Sequence, residues 1–192
     1  MAEQLSFQTT DGGSIPTSPL QLFAREVNRA TANVFYRRWH YLGDTPFIAA
    51  IHYGAYYNGL CQGVISFGSP NAKKLKGYYD EYTQGGWWEI KRLAMRDACP
   101  KNSESRFIAV SLRLLRKTFT VKGIVTLADS AQKHTGVIYK ASGFKYLGLT
   151  AYKTDYQLEN GKLLQRGKPT KYRGNWIPRA RKHLYIKVFG DR

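Results

Sequence analysis

The chain has 192 residues, of which 43% are hydrophobic, so it is long and apolar enough to bury a sizeable core and is not a disordered chain. No apolar run approaches the roughly 20 residues that span a bilayer, and residues 1–10 lack the basic and apolar regions of a secretory signal. Two cysteines exclude a disulfide framework, so we expect a single cytoplasmic domain over 1–192 with no membrane partner.

The charge balance is strongly basic and points to a polyanionic partner. Thirty Lys and Arg residues stand against 13 acidic ones, giving a net charge of +17. Residues 161–192 carry ten basic residues and one acid, interleaved with aromatic side chains that can stack on unpaired bases. The alternative is a merely soluble, positively charged surface. The sequence therefore predicts nucleic-acid contact by this basic C-terminal region, with the candidates Lys171, Arg173, Arg179, Arg181 and Lys182.

The first half of the chain predicts a strand, a helix and a hairpin. Residues 5–9 suit a short strand, and Ser18-Pro19 is a favourable helix start. Apolar residues at helical spacing then predict a helix that runs to about His40. Strands are expected over 47–53 and 60–67, joined by the turn sequence Asn58-Gly59.

The second half predicts alternating strands and helices. A polar stretch over 68–86 suits a mobile loop, and the next strand, 88–95, has an apolar phase that slips between Ile90 and Leu93, which indicates a bulge. A helix is expected around 108–119, a buried strand over 124–128, a helix through Ala141 closed by Gly143, and strands over 144–149 and 184–189. This order predicts an α/β fold with a mixed central sheet flanked by helices.

Two side chains near the second predicted helix are candidates for catalysis. Asp129 follows a buried strand, and ligands of open α/β sheets bind beyond the carboxyl ends of strands. Its carboxylate can accept a proton or orient an amine, but it can equally cap the helix that follows. Tyr139 on that helix can give a proton to a leaving thiolate, and its alternative is ordinary core packing.

The end of the first predicted helix offers a second group of candidates. His40 suits a general base, a metal ligand or a partner of the helix dipole, although a lone histidine is more often structural. No HxxxH or HxH spacing occurs and the other histidines are scattered, so the sequence gives only a weak signal of a metal site. Enzymes that act on a base in duplex DNA must extrude it, and the phosphate and base contacts predicted beside His40 and the hairpin turn are Arg37, Arg38, Tyr56 and Tyr57. For the neighbouring Tyr53, cross-strand pairing within the sheet is the favoured role.

Three local motifs resemble one protein family. The segment from His134 to Gly148, in which a tyrosine-bearing helix runs into a Gly-Phe pair, resembles the end of a GNAT acetyltransferase domain. The sequence Trp-His-Tyr-Leu at 39–42, Leu-Ala-Asp-Ser at 127–130, and Tyr139 ten residues after Asp129 together resemble the phage Mom family. The resemblance covers about residues 20–149.

The resemblance implies a function. Mom proteins have an acetyltransferase-like fold and convert adenine in phage DNA to an N6-carbamoylmethyl form that blocks host restriction enzymes. It implies double-stranded DNA as partner, an infected or lysogenic bacterial host cell as location, and the catalytic residues His40, Tyr41, Asp129 and Tyr139. An iron proposed for the family implies a second role for His40, as a metal ligand.

The donor is where the sequence departs from the acetyltransferase pattern. Acetyl-CoA or a related acyl donor is implied by the fold, but the stretch 96–106 contains none of the glycines that cradle a pyrophosphate. The side chains left for phosphate are Asn102, Ser103, Ser105 and Arg106. Simple acyl transfer also joins N6 to a carbonyl carbon, not to a CH2 group, so a further donor or a metal-assisted step is needed.

Two other functions are compatible with the sequence. An acetyltransferase acting on proteins or small amines would share the fold, with its charge matched to an acidic substrate. A non-catalytic DNA-binding module on the same fold would account for the missing glycines. The second alternative requires that His40, Tyr41, Asp129 and Tyr139 do not converge on one cleft.

Overall fold

The computed structural model describes residues 15–164 and 173–190. Its three helices are α1 (Arg29–Trp39), α2 (Ser103–Thr118) and α3 (Val137–Ala141), and single 3-10 turns occupy Pro19–Gln21 and Ser130–Gln132. The ten strands are β1 (Phe23–Val27), β2 (Ile51–Tyr57), β3 (Leu60–Gly68), β4 (Trp87–Met95), β5 (Gly123–Asp129), β6 (Lys145–Leu149), β7 (Thr154–Leu158), β8 (Leu163–Leu164), β9 (Gly174–Pro178) and β10 (Lys182–Val188).

The core is a seven-stranded sheet with a helix on each face. The strand order is β1-β2-β3-β4-β5-β10-β6, and every neighbouring pair is antiparallel except β4 and β5. Phe107, Ile108 and Leu115 of α2 pack on one face of the sheet. Phe35 and Tyr36 of α1 pack on the other. The predicted mixed sheet flanked by helices is thus observed.

The two parallel strands separate part way along their length. Their paired residues extend from Trp87 opposite Gly123 to Glu89 opposite Val125. At the point of separation β4 carries a bulge, since Ser66 of β3 pairs with Arg92 and Phe67 with Ile90, leaving Lys91 unmatched. The bulge predicted between Ile90 and Leu93 is confirmed. An extra residue bends its strand, and the rest of β4 diverges from β5 to leave a cleft.

The prediction of one helix from Ser18 to His40 is wrong at its start. Ser18 and Gln21 form a reciprocal capping box, but it closes only one turn. Residues Phe23–Val27 then pair with β2 as an edge strand. The helix starts after Asn28, whose side chain accepts the Thr31 N–H at 2.8 Å. Pairing with the sheet outweighs the helical spacing of the apolar residues. The strand predicted over 5–9 lies outside the described residues.

The hairpin prediction holds, with a later start for its first strand. Asn58 and Gly59 both have positive φ (47° and 78°), as a type I′ turn requires. The strand begins at Ile51 instead of residue 47, because Phe47 packs edge-on against Tyr36 of α1.

The expectation of a mobile loop over 68–86 is corrected by its packing. Tyr79 is 5% exposed and its ring lies 5.1 Å from that of Trp87. Both belong to a separate apolar cluster that also includes Val125 and Ile186. This cluster fixes the segment to the sheet.

The last third of the chain contains more strand than the sequence predicts. The predicted strands over 144–149 and 184–189 appear as β6 and β10, and the helix ending at Ala141 begins only at Val137. A three-stranded sheet, β8-β7-β9, was not predicted. In the part of the chain that the structure describes, no helix is long and apolar enough to span a membrane.

Candidate active site

The divergence of β4 and β5 opens a cleft of about 670 Å³. Its walls are the separated ends of the two strands, the end of α1 with the residues that follow it, and the segment between β5 and α3. All four residues predicted to be catalytic, His40, Tyr41, Asp129 and Tyr139, line this cleft. The side chains that border it and carry polar groups include His40, Tyr41, Glu89, Lys91, Arg92, Asp129, His134, Tyr139 and Lys182.

Asp129 ends β5 and uses its two oxygens differently. Oδ1 accepts the Ala131 N–H at 3.0 Å and so caps the following 3-10 turn. Oδ2 accepts the Tyr41 hydroxyl at 3.2 Å and lies 3.4 Å from Lys182 Nζ. The capping role and the cleft role, which the sequence left as alternatives, are therefore both present in one carboxylate.

Tyr41 reaches Asp129 from the end of α1. Its ring stacks on that of His40, with centroids 4.6 Å apart, and meets His134 edge-on at 5.9 Å. Burial, together with the neighbouring negative charge and hydrogen bond of Asp129, raises the pKa of the Tyr41 phenol to about 12. The phenol is thus a donor to Asp129 at neutral pH.

His40 is held as a neutral ring. Burial lowers the pKa of its imidazole to about 4, and the positive charges of Arg92 and His134 act in the same direction. Its Nδ1 accepts the Leu42 N–H at 3.1 Å. Because Nδ1 is an acceptor, the proton of the neutral ring lies on Nε2, so Nε2 is a hydrogen-bond donor.

Tyr139 borders the cleft from the α2 face of the sheet, opposite to the face that α1 covers. It belongs to the core cluster beneath α2, and its ring lies between Phe144 and Tyr185 at 5.8 and 5.6 Å. Burial raises the pKa of its phenol; the nearby Thr126 side chain opposes that shift, although the Thr126 hydroxyl makes no well-formed hydrogen bond within the described residues. The packing role and a role in the cleft are again compatible.

Arg92 fixes the segment that carries His40 and Tyr41. It is 4% exposed, and its two terminal nitrogens donate to the carbonyls of Gly43 and Thr45. Its guanidinium lies 4.2 Å from the centre of the Phe47 ring. A buried guanidinium with two carbonyl partners anchors the loop after α1 to β4.

The described donor set does not fit an iron site. No group of three or more His, Cys, Asp or Glu side chains within residues 15–164 and 173–190 is placed to hold a metal ion. A histidine that ligates through Nε2 ordinarily donates from Nδ1 to a second group, whereas His40 Nδ1 accepts a backbone N–H. The role of His40 as metal ligand is thus unsupported.

The predicted phosphate-binding residues do not line the described cleft. The Ser103 hydroxyl donates to the Pro100 carbonyl at 2.7 Å, and the Ser105 hydroxyl donates to the Asn102 carbonyl at 3.0 Å. Neither Asn102, Ser103, Ser105 nor Arg106 borders the described cleft, whereas Glu104 does. The start of α2 thus contributes Glu104 to the border of the cleft, and the four predicted phosphate contacts remain predictions.

The DNA contacts predicted near the first helix and hairpin divide into surface and core. Arg37 and Arg38 are exposed, with Arg37 paired to Asp44 at 2.6 Å. Tyr56 is 1% exposed, stacked on Phe23 and covered by Arg25, so its prediction as a base-contacting residue is wrong. Tyr57 is half-buried against the main core. Tyr53 is a buried cross-strand residue, as expected.

The basic C-terminal candidates are mostly engaged within the protein. Arg179 forms a bidentate ion pair with Asp155, in which Arg179 Nε donates to Asp155 Oδ2 at 2.8 Å. Arg181 donates to the carbonyls of Thr150 and Leu149, and Lys182 pairs with Asp129. These three contacts tie β9 and β10 to their neighbours. Arg173 is exposed, and Lys171 lies outside the described residues.

Several cleft residues were not found by sequence reasoning. They are Asn71, Glu89, Lys91, Arg92 and His134, together with Lys182 in its role beside Asp129. Three of them are charged residues inside the otherwise apolar strand β4. Charged side chains are rarely buried unless they are paired, so this interruption was an available signal of a site.

Solved structures support the fold. The aminoglycoside acetyltransferase AAC(6')-Ib in complex with coenzyme A superposes with a TM-score of 0.54 at 15% identity, covering 87% of this chain and 94% of that one. An acetyltransferase of the GNAT family from Streptococcus pneumoniae gives 0.53 at 13% identity, covering 88% and 99%. The predicted GNAT-type fold is confirmed.

Sequence comparison is more specific. The chain is 30% identical over 111 residues to "Methylcarbamoylase mom" of Escherichia phage Mu, an alignment that covers 57% of this chain and 46% of that protein. The chain thus spans about half the length of that relative. The model of the Mom protein family matches residues 21–184, which is most of the chain and includes the whole described cleft. The chain therefore belongs to the Mom protein family.

Proposed function

We propose that this protein is a DNA-modifying transferase that attaches a carbamoylmethyl group to N6 of adenine and so protects phage DNA from restriction. Membership of the Mom family and the similarity to the phage Mu methylcarbamoylase support this reaction. The net charge of +17 supports a DNA substrate. The observation that carries the proposal is the cleft carboxylate of Asp129, held between the Tyr41 hydroxyl and Lys182.

The adenine amine needs a proton acceptor when its new bond forms. The N6 lone pair is delocalised into the ring, so the nitrogen is a weak nucleophile and becomes acidic once it is alkylated. Asp129 Oδ2 is the acceptor in this proposal, since Oδ1 is occupied by the Ala131 N–H. Tyr41 and Lys182 orient that oxygen toward the amine.

His40 acts as a donor and a stacking surface instead of a base. With Nδ1 accepting a backbone N–H and a lowered pKa, its neutral ring presents an Nε2 proton. That proton suits a ring nitrogen of adenine or an oxygen of the incoming group. The His40–Tyr41 stack offers an aromatic edge to an extruded base.

Tyr139 supplies a proton on the other side of the cleft. Its raised pKa keeps the phenol protonated at neutral pH, and it contacts the cleft from the α2 face. We assign it to protonate the leaving group of the donor.

The donor itself is open to test. Solved structures with this fold include AAC(6')-Ib in complex with acetyl-CoA, which makes an acyl-CoA the first donor class to try. The engaged hydroxyls at the start of α2 and the Glu104 carboxylate do not favour it.

Double-stranded DNA is the proposed partner, modified in the infected or lysogenic bacterial cell. Arg38 and Arg173 are exposed cations suited to phosphate. Trp176, 60% exposed on β9, is an aromatic surface suited to unpaired bases. Lys171 is proposed as a further phosphate contact on the basis of the sequence alone.

The proposal is tested by nucleoside mass spectrometry on plasmid DNA from cells that express the protein. The intact chain is expected to yield a deoxyadenosine heavier by one carbamoylmethyl group, and Asp129→Asn to yield little, because an amide keeps the turn-capping oxygen but cannot take a proton. Glu159→Gln, at an exposed turn, is the matched control.

An acetyltransferase of proteins or small amines is the second candidate, favoured by the fold of the structural neighbours. Transfer of labelled acetyl groups to protein, with unmodified DNA, would establish it in place of the DNA reaction. A deoxyadenosine mass shift equal to an acetyl group would instead correct the transferred group.

A further inference from the structure

A polar cluster built on a buried ion pair lies in the cleft wall. Lys91, the bulge residue of β4, pairs with Glu89 at 3.2 Å and donates to Asn71 Oδ1 at 2.9 Å. Glu89 Oε2 also accepts the Asn71 backbone N–H at 2.7 Å. The side chains of Lys91 and Glu89 are only 6% and 9% exposed, and all three residues line the cleft.

The cluster lies on the same face of the sheet as His40 and Tyr41. A β-carbon placed on Gly68 would lie 3.2 Å from Lys91 Cε and 3.2 Å from the backbone of Ile48 and Ala49. That segment follows α1 in the chain, and the neighbouring Phe47 packs on Tyr36 of α1. The segment therefore lies on the face of the sheet that α1 covers. The cluster is thus on the side from which Tyr41 approaches Asp129.

The cluster keeps unused hydrogen-bonding capacity of both kinds. The contacts within the cluster use Asn71 Oδ1, Glu89 Oε2 and two of the three Lys91 N–H groups, so Glu89 Oε1, the third Lys91 N–H and the exposed Asn71 NH2 lie outside them. Burying an ion pair is costly and does not by itself add stability, so a cluster that borders a cleft with donors and an acceptor to spare suits ligand binding. Its formal charges cancel, which favours a neutral ligand.

The spacing along β5 fits a ligand recognised at two points. Glu89 stands opposite Val125, and Asp129 lies four residues further, about 13 Å along the strand at 3.3 Å per residue. The two polar groups therefore lie at separate points along one cleft, one able to hold an amine and the other a group attached to it.

We propose that the cluster of Asn71, Glu89 and Lys91 binds the primary carboxamide of the group that is transferred. The amide C=O accepts from Lys91 or the Asn71 NH2, and the amide NH2 donates to Glu89. A carboxylate in the same place meets the negative charge of Glu89 and is rejected. This rests on the proposed function, and it makes the donor one that carries a neutral terminal amide.

The test is to measure by calorimetry how tightly three nucleosides, two of them neutral and one negatively charged, bind to the purified full chain. The probes are N6-carbamoylmethyl-deoxyadenosine, its N6-carboxymethyl analogue and deoxyadenosine. The amide is expected to bind at least about tenfold more tightly than either of the others, the effect of one hydrogen bond to a charged group or more. The backbone amide resonance of Asn71 is expected to shift only with the carbamoylmethyl nucleoside.

Variants then assign the preference to these residues. Glu89→Gln is expected to remove the discrimination against the carboxymethyl analogue, and Lys91→Met to abolish the preference for the amide over deoxyadenosine. Lys73→Met, at an 84% exposed lysine, is expected to preserve both, and thermal melting confirms that each variant is folded. Equal binding of amide and deoxyadenosine, or a preference that survives in folded Lys91→Met, overturns the proposal. An Asn71 shift with deoxyadenosine alone also overturns it, by making the cluster a base-reading site.

The binding series separates this inference from the proposed reaction. It needs no donor and no turnover, and the comparison of the three nucleosides on the unmodified protein needs no variant. If cells contain no modified deoxyadenosine, the proposed function fails, while amide selectivity in the cleft remains measurable by itself.

Discussion

Replacing Tyr41 by Phe isolates one hydrogen bond at the centre of the site. The substitution removes the hydroxyl that donates to Asp129 Oδ2 at 3.2 Å and leaves the ring stacked on His40. A hydrogen bond to a charged group contributes about 1.5–3 kcal/mol. This one is long and Tyr41 is 46% exposed, so we take a value just below that range, about 1.4 kcal/mol, which corresponds to a tenfold loss of rate.

The assay is the early time course of modified deoxyadenosine after induction, divided by the amount of folded protein. Tyr41→Phe is expected to slow the appearance of the modified nucleoside about tenfold with little change in thermal stability. Tyr152→Phe is the matched control, because it removes a hydroxyl from a side chain that is 65% exposed. Modification at the full rate by Tyr41→Phe would refute the assignment of Tyr41 as the residue that orients Asp129.

A double variant checks the same reasoning. In the Asp129→Asn background the carboxylate that Tyr41 orients is already lost, so Tyr41→Phe is expected to add little further effect. Independent, multiplicative losses would mean that the tyrosine hydroxyl acts elsewhere.

Three further predictions concern charged or titratable side chains. His40 has a pKa lowered to about 4 from 6.5, so the unfolded chain takes up a proton first and stability falls as pH drops from about 6.5 towards 4; urea unfolding should show an extra slope of at most about 1.4 kcal/mol per pH unit that His40→Gln removes. Glu104→Gln should strengthen acetyl-CoA binding about two- to fivefold by removing a negative charge at the start of α2, with Glu159→Gln unchanged; equal affinities would show that Glu104 does not oppose the donor. Arg173→Ala should weaken DNA binding and lower the salt slope by about 1, whereas Arg179→Ala should affect mainly stability because it leaves Asp155 unpaired; the opposite pattern in fluorescence anisotropy titrations would reverse these two assignments.

Sequence reasoning worked best where the signal was local. The Asn58-Gly59 turn and the bulge at Lys91 are consequences of backbone preference and alternation within a few residues. It failed at the start of α1, because the residues of β1 have helical spacing yet gain more from pairing with β2. The small sheet of β7, β8 and β9 has no strong alternation of its own.

For the candidate site, the sequence predicted which residues matter but not what each of their atoms does. The sequence picked out Asp129 and Tyr139 as chemically useful residues at informative positions, but it left open whether each one packs, caps or faces a cleft. The structure places Asp129 Oδ1 on the turn and Oδ2 in the cleft. Roles of this kind depend on individual atoms, and atoms are not distinguished by sequence spacing.

The sequence by itself determined the α/β class, the basic character and the family motifs, because composition and short-range periodicity are properties of the chain. The tertiary structure decided which charges are available. In the folded protein Arg179 and Arg181 make internal contacts and Tyr56 is buried. Lys182 lies beside Asp129, although 53 positions separate the two in the sequence. Those outcomes are set by which strands become neighbours in the sheet, and strand order is a long-range property that no local pattern of residues contains.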